Sequence, residues 1–271
     1  MINATQQTDV LGQPDSFQVT DSMHTLKDLP IKGFIDTSFV DWPGKICAVL
    51  FFPHCNFRCP YCHNSELVLQ PDSIETIEPE SVFTRLNDLR GWIDGVCVTG
   101  GEPTLQPKLR KLLEIVREAG FQTKLDTNGS NPDTLRELID AGLLDYVAMD
   151  VKSCLDEDSY CKITNVADSM LDRVRTSIDL LMEGRVDYEF RVTIVPKYHD
   201  PEDIYQLARD LSGAARLRLQ NFKPGASMLD PTLKTAKPFT PQDMESLQIR
   251  VDELLCVPGK PATRPTTTTW Q

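Results

Sequence analysis

The chain has 271 residues, 40% of them hydrophobic and 25% charged, which excludes a wholly disordered protein. Its longest apolar run, 46–52, is far shorter than the roughly 20 residues that span a bilayer, and residues 1–10 lack the parts of a signal peptide. The net charge of −12 disfavours nucleic acid as a partner. We therefore expect a cytoplasmic protein that binds neither nucleic acid nor membranes.

The predicted elements alternate between strands and helices along the chain. Short apolar runs bounded by turn residues predict strands at 46–52, 95–99, 121–126, 144–151, 188–195 and 216–220. Helical spacing of apolar residues, or a proline in a first turn, predicts helices at 80–89, at 107–119, from 132 after a cap at Asn131, at 172–183, from 201 and from 241. This alternation predicts a parallel sheet with right-handed crossovers.

Two architectures share this pattern, an open doubly wound sheet and a β/α barrel. Six units are too few for the closed eight-stranded barrel. Cysteine, glycine or charged residues follow the first four strands in turn, and such a spread suits a barrel mouth better than a single crevice. We therefore expect an α/β fold, a partial (β/α)6 barrel, over residues 30–257.

The two ends of the chain differ from this domain in composition. Residues 1–29 are polar and weakly patterned, which predicts a loosely attached extension. Residues 258–271 hold several prolines and a run of threonines, which build no packed core. We expect a flexible tail there.

The most informative motif is a loop with three cysteines after the first predicted strand. Cys55, Cys59 and Cys62 have gaps of three and two residues, and no fourth cysteine lies on the same loop. Ferredoxins bind iron–sulfur clusters with four cysteines at similar spacing. Three cysteines would leave one iron without a protein ligand, and an open position is typical of catalytic metal sites. The spacing favours a cluster that binds a further molecule.

Two other interpretations of these cysteines stay open on the residues alone. A structural zinc site would need His54 or His63 as its fourth ligand, and each histidine directly adjoins a cysteine of the set, which makes the geometry awkward. A disulfide is disfavoured because no export signal is found and a reducing compartment is expected.

The wider sequence around the loop resembles a known family. Cys-x3-Cys-x2-Cys, with Tyr61 before the last cysteine, resembles the signature of radical S-adenosylmethionine enzymes. Segments 37–45 and 63–64 resemble those of glycyl-radical-enzyme activating proteins, most closely the activator of anaerobic ribonucleoside-triphosphate reductase. The resemblance covers residues 33–224. It departs at His54, where the family often has glycine, and this side chain is expected to alter hydrogen bonding or access at the cluster.

The resemblance implies an anaerobic oxidoreductase and its cofactors. Cys55, Cys59 and Cys62 would bind a [4Fe–4S] cluster whose open iron binds the amino and carboxylate groups of S-adenosylmethionine. The reduced cluster would cleave S-adenosylmethionine to a 5′-deoxyadenosyl radical, which removes a hydrogen from a glycine of the partner, expected to be anaerobic ribonucleotide reductase. The low potential that this needs implies a flavodoxin or ferredoxin as electron donor.

Glycines after the second predicted strand are further candidates. Gly100 and Gly101 lack side chains, so their backbone could approach a ligand closely. The resemblance implies that this segment, which continues into Glu102, holds the methionine amino group of S-adenosylmethionine. The alternative is a plain tight turn.

Carboxylates follow the next two predicted strands. Asp126 and Asn128 come at the end of the third, and Asp150 and Lys152 come at the end of the fourth. Neighbouring carboxylates repel unless a cation or a donor lies between them. The resemblance implies a monovalent cation near the two aspartates and a contact between the lysine and a substrate carboxylate. Capping of backbone N–H groups is the alternative for both aspartates.

Three weaker predictions concern Arg191, Tyr61 and the end of the sixth strand. A charge within the apolar strand 188–195 must be paired or exposed, so Arg191 either points inward and binds the carboxylate of S-adenosylmethionine or lies on the surface. Tyr61 either stacks on adenine, as the resemblance suggests, or packs the cysteine loop. Gln220 and Asn221 are candidates for ribose contacts.

Two alternatives to an activase stay open. A radical S-adenosylmethionine enzyme could act on a small molecule in modified-base or cofactor biosynthesis. A zinc scaffold or a metal-binding redox sensor would need no enzymatic activity. The sequence carries no recognisable motif for the identity of the partner or for the oligomeric state.

Overall fold

A computed structural model describes residues 24–225 and 228–256. Within them one sheet contains β1 to β7 in chain order. The strands are β1 Gly33–Ser38, β2 Cys47–Phe52, β3 Gly95–Gly100, β4 Gln122–Thr127, β5 Tyr146–Asp150, β6 Asp187–Ile194 and β7 Leu217–Asn221. Strand β1 is antiparallel to β2, and all the following neighbours are parallel.

Helices connect the parallel strands, as right-handed crossovers require. They are α1 Ser65–Leu69, α2 Pro79–Asp88, α3 Leu109–Glu118, α4 Pro132–Asp140, α5 Glu157–Thr164, α6 Asp168–Met182, α7 Pro201–Asp210 and α8 Pro241–Leu255. Short 3-10 segments lie at Pro71–Ser73, Pro103–Leu105 and Pro231–Thr235. The apolar residues that recur at helical spacing on α3, namely Leu109, Leu112, Leu113 and Val116, are all buried.

The order of the strands decides between the two predicted architectures. A doubly wound sheet reverses its strand order at a switch point, whereas β2 to β7 follow the chain without reversal. In the described residues β7 pairs with β6 but not with β1, so the sheet does not close. The predicted partial barrel is confirmed, with β1 as an additional strand at the edge.

All six predicted strands are present, and the differences lie in the connections. Strand β1 escaped prediction because its sequence shows no alternation of polar and apolar residues, and four of its six residues are half-buried. The predicted side-chain cap by Asn131 is wrong: its amide donates to Thr104 O (3.0 Å), and its carbonyl oxygen accepts from Arg173 (2.9 Å). Pro132 still opens α4.

The ends of the chain are only partly described. Leu26 and Leu29, within the predicted extension, are fully buried, so the packed domain begins before residue 30. The rest of that extension and the predicted tail 258–271 lie outside the described residues. No helix in the described ranges has the length and apolar character needed to cross a membrane.

A small apolar cluster fills the inner face of the sheet near the start of β2 and β3. This Trp42 cluster consists of Trp42, Cys47, Val49 and Cys97, all almost fully buried. A Cβ atom at Gly95, the first residue of β3, would lie 2.7 Å from the Trp42 ring, so the indole occupies space that only glycine leaves free. Trp42 therefore closes the barrel at the end opposite to the carboxyl ends of its strands.

Candidate functional site

A cavity of about 210 Å³ lies at the carboxyl ends of the parallel strands. Its walls come from the cysteine loop after β2 and from residues at or after the ends of β3 to β7. Among the residues that line it are Cys55, Cys59, Tyr61, Cys62, Gly100, Gly101, Asp126, Asn128, Asp150, Lys152, Thr193 and Gln220. The structure thus brings together most of the residues that the sequence singles out, while Glu102, Arg191 and Asn221 do not line the cavity.

The three cysteines are held on one loop and share a polar environment. Phe57 N donates to Cys55 Sγ (3.4 Å), and the Asn128 amide lies 3.7 Å from the same sulfur. Burial raises the pKa of Cys55 to about 11 and that of Cys59 to about 12, although the charge of Lys152 opposes this shift. Free thiols are therefore protonated at neutral pH, and metal binding must displace their protons.

The residues fit a four-iron cluster better than a single zinc ion. In the part of the chain that the structure describes, no group of three His, Cys, Asp or Glu side chains is arranged around one ion. A [4Fe–4S] cluster needs no such convergence, because each thiolate binds a different iron. His54 is exposed, and His63 Nε2 lies 3.0 Å from Lys223 O, so neither histidine completes a zinc site with the cysteines.

His54 and Gly101 show why the cysteine loop needs close backbone packing. His54 has a φ of 66°, in the left-handed region that favours glycine, which accounts for the glycine often found there in the resembling family. A Cβ atom at Gly101 would lie 1.8 Å from the carbonyl oxygen of His54. Glu102 N donates to that same oxygen (2.7 Å). The loop after β3 thus holds the start of the cysteine loop through the backbone.

The Glu102 side chain positions its neighbours instead of lining the cavity. It is completely buried, and its Oε1 accepts from Thr104 N (3.1 Å), Thr104 Oγ1 (2.6 Å) and Thr127 Oγ1 (2.8 Å). Its Oε2 accepts from Asn128 N (2.7 Å). Burial raises the pKa of Glu102 while these donors lower it. The carboxylate therefore fastens the loop after β3 to the loop after β4, which presents Asn128 to the cavity.

Arg191 points inward and lies between the two predicted aspartates. Its Nε is 2.8 Å from Asp150 Oδ1, and its Nη2 is 3.3 Å from Asp126 Oδ2. Lys124, which is fully buried, contacts the other oxygen of Asp126, and Lys152 Nζ lies 3.2 Å from Asp150 Oδ2. We call this alternating series, Lys124, Asp126, Arg191, Asp150 and Lys152, the charge ladder.

The charge ladder bears on the predictions for Arg191 and for the two aspartates, Asp126 and Asp150. Arg191 is the donor that relieves the repulsion between the carboxylates, and the alternative of a surface arginine is wrong. Each oxygen of Asp126 and Asp150 faces a cationic side chain of the protein, and the monovalent cation expected near these two aspartates stays a prediction. Burial raises the pKa of Asp150, but Arg191 and Lys152 more than offset this and lower it to about 2.

His199 is a site residue that the sequence analysis missed. It is only 3% exposed, its Nδ1 accepts from Val195 N (3.1 Å), and its Nε2 lies 2.8 Å from Lys152 O. Only a neutral ring with its hydrogen on Nε2 satisfies both contacts. The ring also meets Tyr61 edge-on, with 6.3 Å between centroids, and Tyr61 is buried against it at the cavity wall. No local pattern marks this role, because His199 simply precedes the start of α7.

Comparison with known proteins identifies the family. Residues 49–211 match the sequence model described as the radical SAM superfamily, and the chain belongs to this superfamily. Membership implies a [4Fe–4S] cluster and S-adenosylmethionine as cofactors, for which the cysteines and the cavity fit.

Three curated relatives show which kinds of enzyme this chain is similar to. A Methanocaldococcus jannaschii protein named as a putative glycyl-radical enzyme activating enzyme is 37% identical over 198 residues, which cover 72% of this chain and 80% of the relative. The pyruvate formate-lyase-activating enzyme of Clostridium pasteurianum is 32% identical over 62% of this chain and 70% of its own. The 7-carboxy-7-deazaguanine synthase of Methanopyrus kandleri is 29% identical over 66% and 86%.

Solved structures support the fold alone. A structure of TYW1 with a lysine-pyruvate adduct bound superposes with a TM-score of 0.54 over 76% of this chain and 73% of that one, at 18% identity. The chain is thus a radical SAM enzyme homologous to glycyl-radical-enzyme activating enzymes.

Proposed function

We propose that this enzyme generates a glycyl radical on a partner enzyme, with anaerobic ribonucleoside-triphosphate reductase as the expected partner. The observation that carries the proposal is the cavity that the three cysteines share with Asp126, Asp150 and Lys152 of the charge ladder. The similarity to two glycyl-radical activating enzymes supports the reaction class. The resemblance of segments 37–45 and 63–64 supports the choice of partner.

The residues of the cavity have distinct roles in this proposal. Cys55, Cys59 and Cys62 hold the cluster, which supplies the electron that cleaves S-adenosylmethionine. The backbone of Gly100 and Gly101, which borders the cavity, approaches the methionine amino group. Lys152 lies on the cavity wall and lowers the pKa of all three cysteines, so it also stabilises their thiolates.

The charge ladder supplies the electrostatics of cofactor binding. Arg191 keeps Asp126 and Asp150 ionised, and both aspartates line the cavity. Tyr61 and Asn128 border the same space and offer a ring face and an amide for the adenosine. A monovalent cation near Asp126 and Asp150 remains part of the proposal, since both carboxylates line the cavity.

The remaining expectations concern the setting of the reaction. The electron comes from a flavodoxin or ferredoxin, because the reduction needs a low potential. With a net charge of −12, this protein must offer such acidic donors a local patch of opposite charge. A cytoplasmic location fits a cluster that depends on reduced cysteines.

One observation favours a second candidate function, chemistry on a small molecule. The similarity to 7-carboxy-7-deazaguanine synthase extends over 86% of that enzyme. An enzyme of this kind would form 5′-deoxyadenosine and modify a small substrate without forming a protein radical.

Anaerobic reconstitution tests the two candidates against each other. The loaded enzyme is mixed with dithionite, S-adenosylmethionine and purified glycyl radical enzymes, anaerobic ribonucleotide reductase first. We expect a glycyl signal in electron spin resonance, with 5′-deoxyadenosine formed in equal amount. Cys62→Ser should abolish both, whereas Cys97→Ser, a buried cysteine outside the cavity, should retain them. 5′-Deoxyadenosine without any protein radical would contradict the activase proposal and favour the small-molecule enzyme.

A further inference from the structure

The hydroxyl of Tyr160 is buried without a hydrogen-bond partner. Tyr160 lies on α5 and is completely buried, and within residues 24–225 and 228–256 its oxygen has no partner at hydrogen-bond distance. The great majority of buried polar groups in folded proteins are paired, so an unpaired one calls for a specific explanation. The roles assigned to the cavity residues so far do not use this hydroxyl.

The backbone of Lys152, beside this hydroxyl, offers it a donor but no acceptor. Burial and the neighbouring Cys59 raise the pKa of Tyr160, whereas the backbone N–H of Lys152 opposes this shift. An N–H group can only donate, so it faces the oxygen of the hydroxyl. The carbonyl oxygen of Lys152 accepts instead from His199 Nε2 (2.8 Å) and Tyr61 Oη (3.5 Å). The hydrogen of the Tyr160 hydroxyl is therefore the part that lacks a partner.

Helix α5 holds the part of the cysteine loop that leads to Cys59. Arg58 N donates to Thr164 O (2.9 Å), and Thr164 Oγ1 donates to Tyr160 O (2.6 Å), one turn earlier on the helix. The ring of Phe57 meets the ring of Tyr160 edge-on, with 6.4 Å between centroids. Because Phe57 and Arg58 directly precede Cys59, Tyr160 packs against the segment that presents this ligand.

Cys59 is the cysteine of the set whose sulfur lacks a donor. Phe57 N donates to Cys55 Sγ (3.4 Å). Burial raises the pKa of Cys62, and a hydrogen bond from the backbone of Asn64 opposes this. In the part of the chain that the structure describes, no donor reaches Cys59 Sγ, although Cys59 is the most buried of the three cysteines. A donor without an acceptor and an acceptor without a donor thus lie in one packed unit.

A cluster on the cysteines would make this missing donor matter. Iron displaces the proton of Cys59, and the sulfur then carries negative charge in a buried place, where a hydrogen bond stabilises it. Hydrogen bonds to the sulfurs are among the features that set the potential of an iron–sulfur cluster. They favour the reduced cluster, because it carries the larger negative charge, and so they raise the potential.

We propose that the Tyr160 hydroxyl donates a hydrogen bond to the sulfur of Cys59 in the loaded enzyme and thereby raises the reduction potential of the cluster. Tyr160 is a positioning residue that acts through Cys59, and it makes the cluster easier for its electron donor to reduce. The inference rests on the cluster that the proposed function uses, and it is independent of which substrate the radical attacks.

A redox titration of Tyr160→Phe tests this without radical chemistry. The reconstituted proteins are titrated anaerobically with dithionite in the absence of S-adenosylmethionine, and the reduced cluster is counted by electron spin resonance. At a fixed solution potential we expect the ratio of reduced to oxidised cluster to fall about 10-fold in Tyr160→Phe. This corresponds to a midpoint that is about 59 mV more negative, since one electron is transferred.

A spectroscopic measurement assigns the shift to the hydroxyl hydrogen. Electron–nuclear double resonance of the reduced cluster in D2O should show an exchangeable deuteron that Tyr160→Phe lacks. Tyr188→Phe is the matched control, because the Tyr188 oxygen accepts from Ala215 N (3.1 Å) near the amino end of β6, away from the cavity. It should keep both the midpoint and the deuteron of the wild type.

Stability of the apoproteins separates this role from a structural one. Urea unfolding should find Tyr160→Phe at least as stable as the wild type, because an unpaired hydroxyl is removed, and Tyr188→Phe less stable. Iron uptake by Tyr160→Phe should equal that of the wild type, since all three thiols remain.

Three results would overturn the proposal: a midpoint equal to that of the wild type, an unchanged deuteron signal, or loss of iron from folded Tyr160→Phe. Failure of the proposed function would look different. The shift in midpoint would then be present, but no glycyl radical would form on any partner.

Discussion

The inner face of the sheet has two halves, one packed with apolar side chains and one with charged side chains. Over β2 and β3 the Trp42 cluster fills the space with apolar side chains, and over β4 to β6 the charge ladder fills it with ions. The two meet where Lys124 Nζ lies 3.6 Å from Cys97 Sγ, on strands that are neighbours in register. One continuous run of parallel strands, β2 to β6, thus carries both halves.

The difference shows which half serves stability and which serves binding. Burial of apolar surface stabilises the fold directly. Buried ion pairs recover little more than the cost of removing their charges from water, so they are weak evidence for stability. The charge ladder is therefore best explained by what it does at the cavity, where Asp126, Asp150 and Lys152 are presented. The Trp42 cluster closes the opposite end.

The largest expected effect comes from removing the central cation of the charge ladder. Arg191→Met removes the cation between Asp126 and Asp150, whose side chains are 13% and 32% exposed, and leaves each aspartate with one lysine only. Breaking a buried pair in this way typically costs about 3–5 kcal/mol. We expect a loss of this size in the free energy of unfolding, measured with urea, together with loss of S-adenosylmethionine binding measured by calorimetry.

Trp42→Ala is the matched change in the apolar half. Truncating a buried tryptophan typically costs about 3–5 kcal/mol, so the loss of stability should be similar. Because Trp42 is at the far end of the barrel, binding of S-adenosylmethionine by the folded protein should be unchanged. If both variants bind the cofactor equally, the distinction between the halves fails.

A smaller effect is expected at Glu102, which joins the two halves. Its carboxylate accepts four hydrogen bonds from the loops after β3 and β4. A glutamine at this position would place its NH2 group, itself a donor, next to one of these donors. Glu102→Gln should cost about 1–3 kcal/mol of unfolding free energy. It should also lower the iron content after reconstitution, because Asn128 loses its position beside Cys55.

Glu118→Gln is the control for this change, since Glu118 is an exposed residue at the end of α3. Exposed substitutions of this kind usually change stability by less than about 0.5 kcal/mol. An unchanged iron content in Glu102→Gln, despite reduced stability, would show that the carboxylate supports the fold without positioning the cluster loop.

The sequence predicts the strands and the cysteine loop well, but it predicts the contacts of single side chains around the cavity poorly. The parallel strands were predictable because each is a compact apolar run, and the three cysteines because they are close in sequence. A paired, inward-facing Lys124 could have been predicted in the same way as Arg191, because Lys124 is a charge inside a predicted strand and lies two residues before Asp126. His199 was not, because its partners Val195 and Lys152 meet only in the folded chain. Glu102 looked like a ligand because nothing in the sequence shows which way a loop side chain points.

The smallest expected effect is a pH dependence that arises from His199. Burial lowers the pKa of this histidine, so the native state stays neutral where the unfolded chain, with a pKa of about 6.5, takes up a proton. The unfolded state then binds more protons, and stability falls as the pH drops below about 6.5. His199→Phe loses two hydrogen bonds but also loses this linkage. The stability gap between the wild type and His199→Phe should therefore be widest at pH 8 and narrower at pH 5.5, as measured by urea unfolding of the reconstituted proteins. His24→Gln, at an exposed position, should show no such change in its gap. A gap for His199→Phe that is equal at both pH values would mean that the buried ring is protonated in the native state. A protonated ring could not accept from Val195 N while it holds the backbone of Lys152.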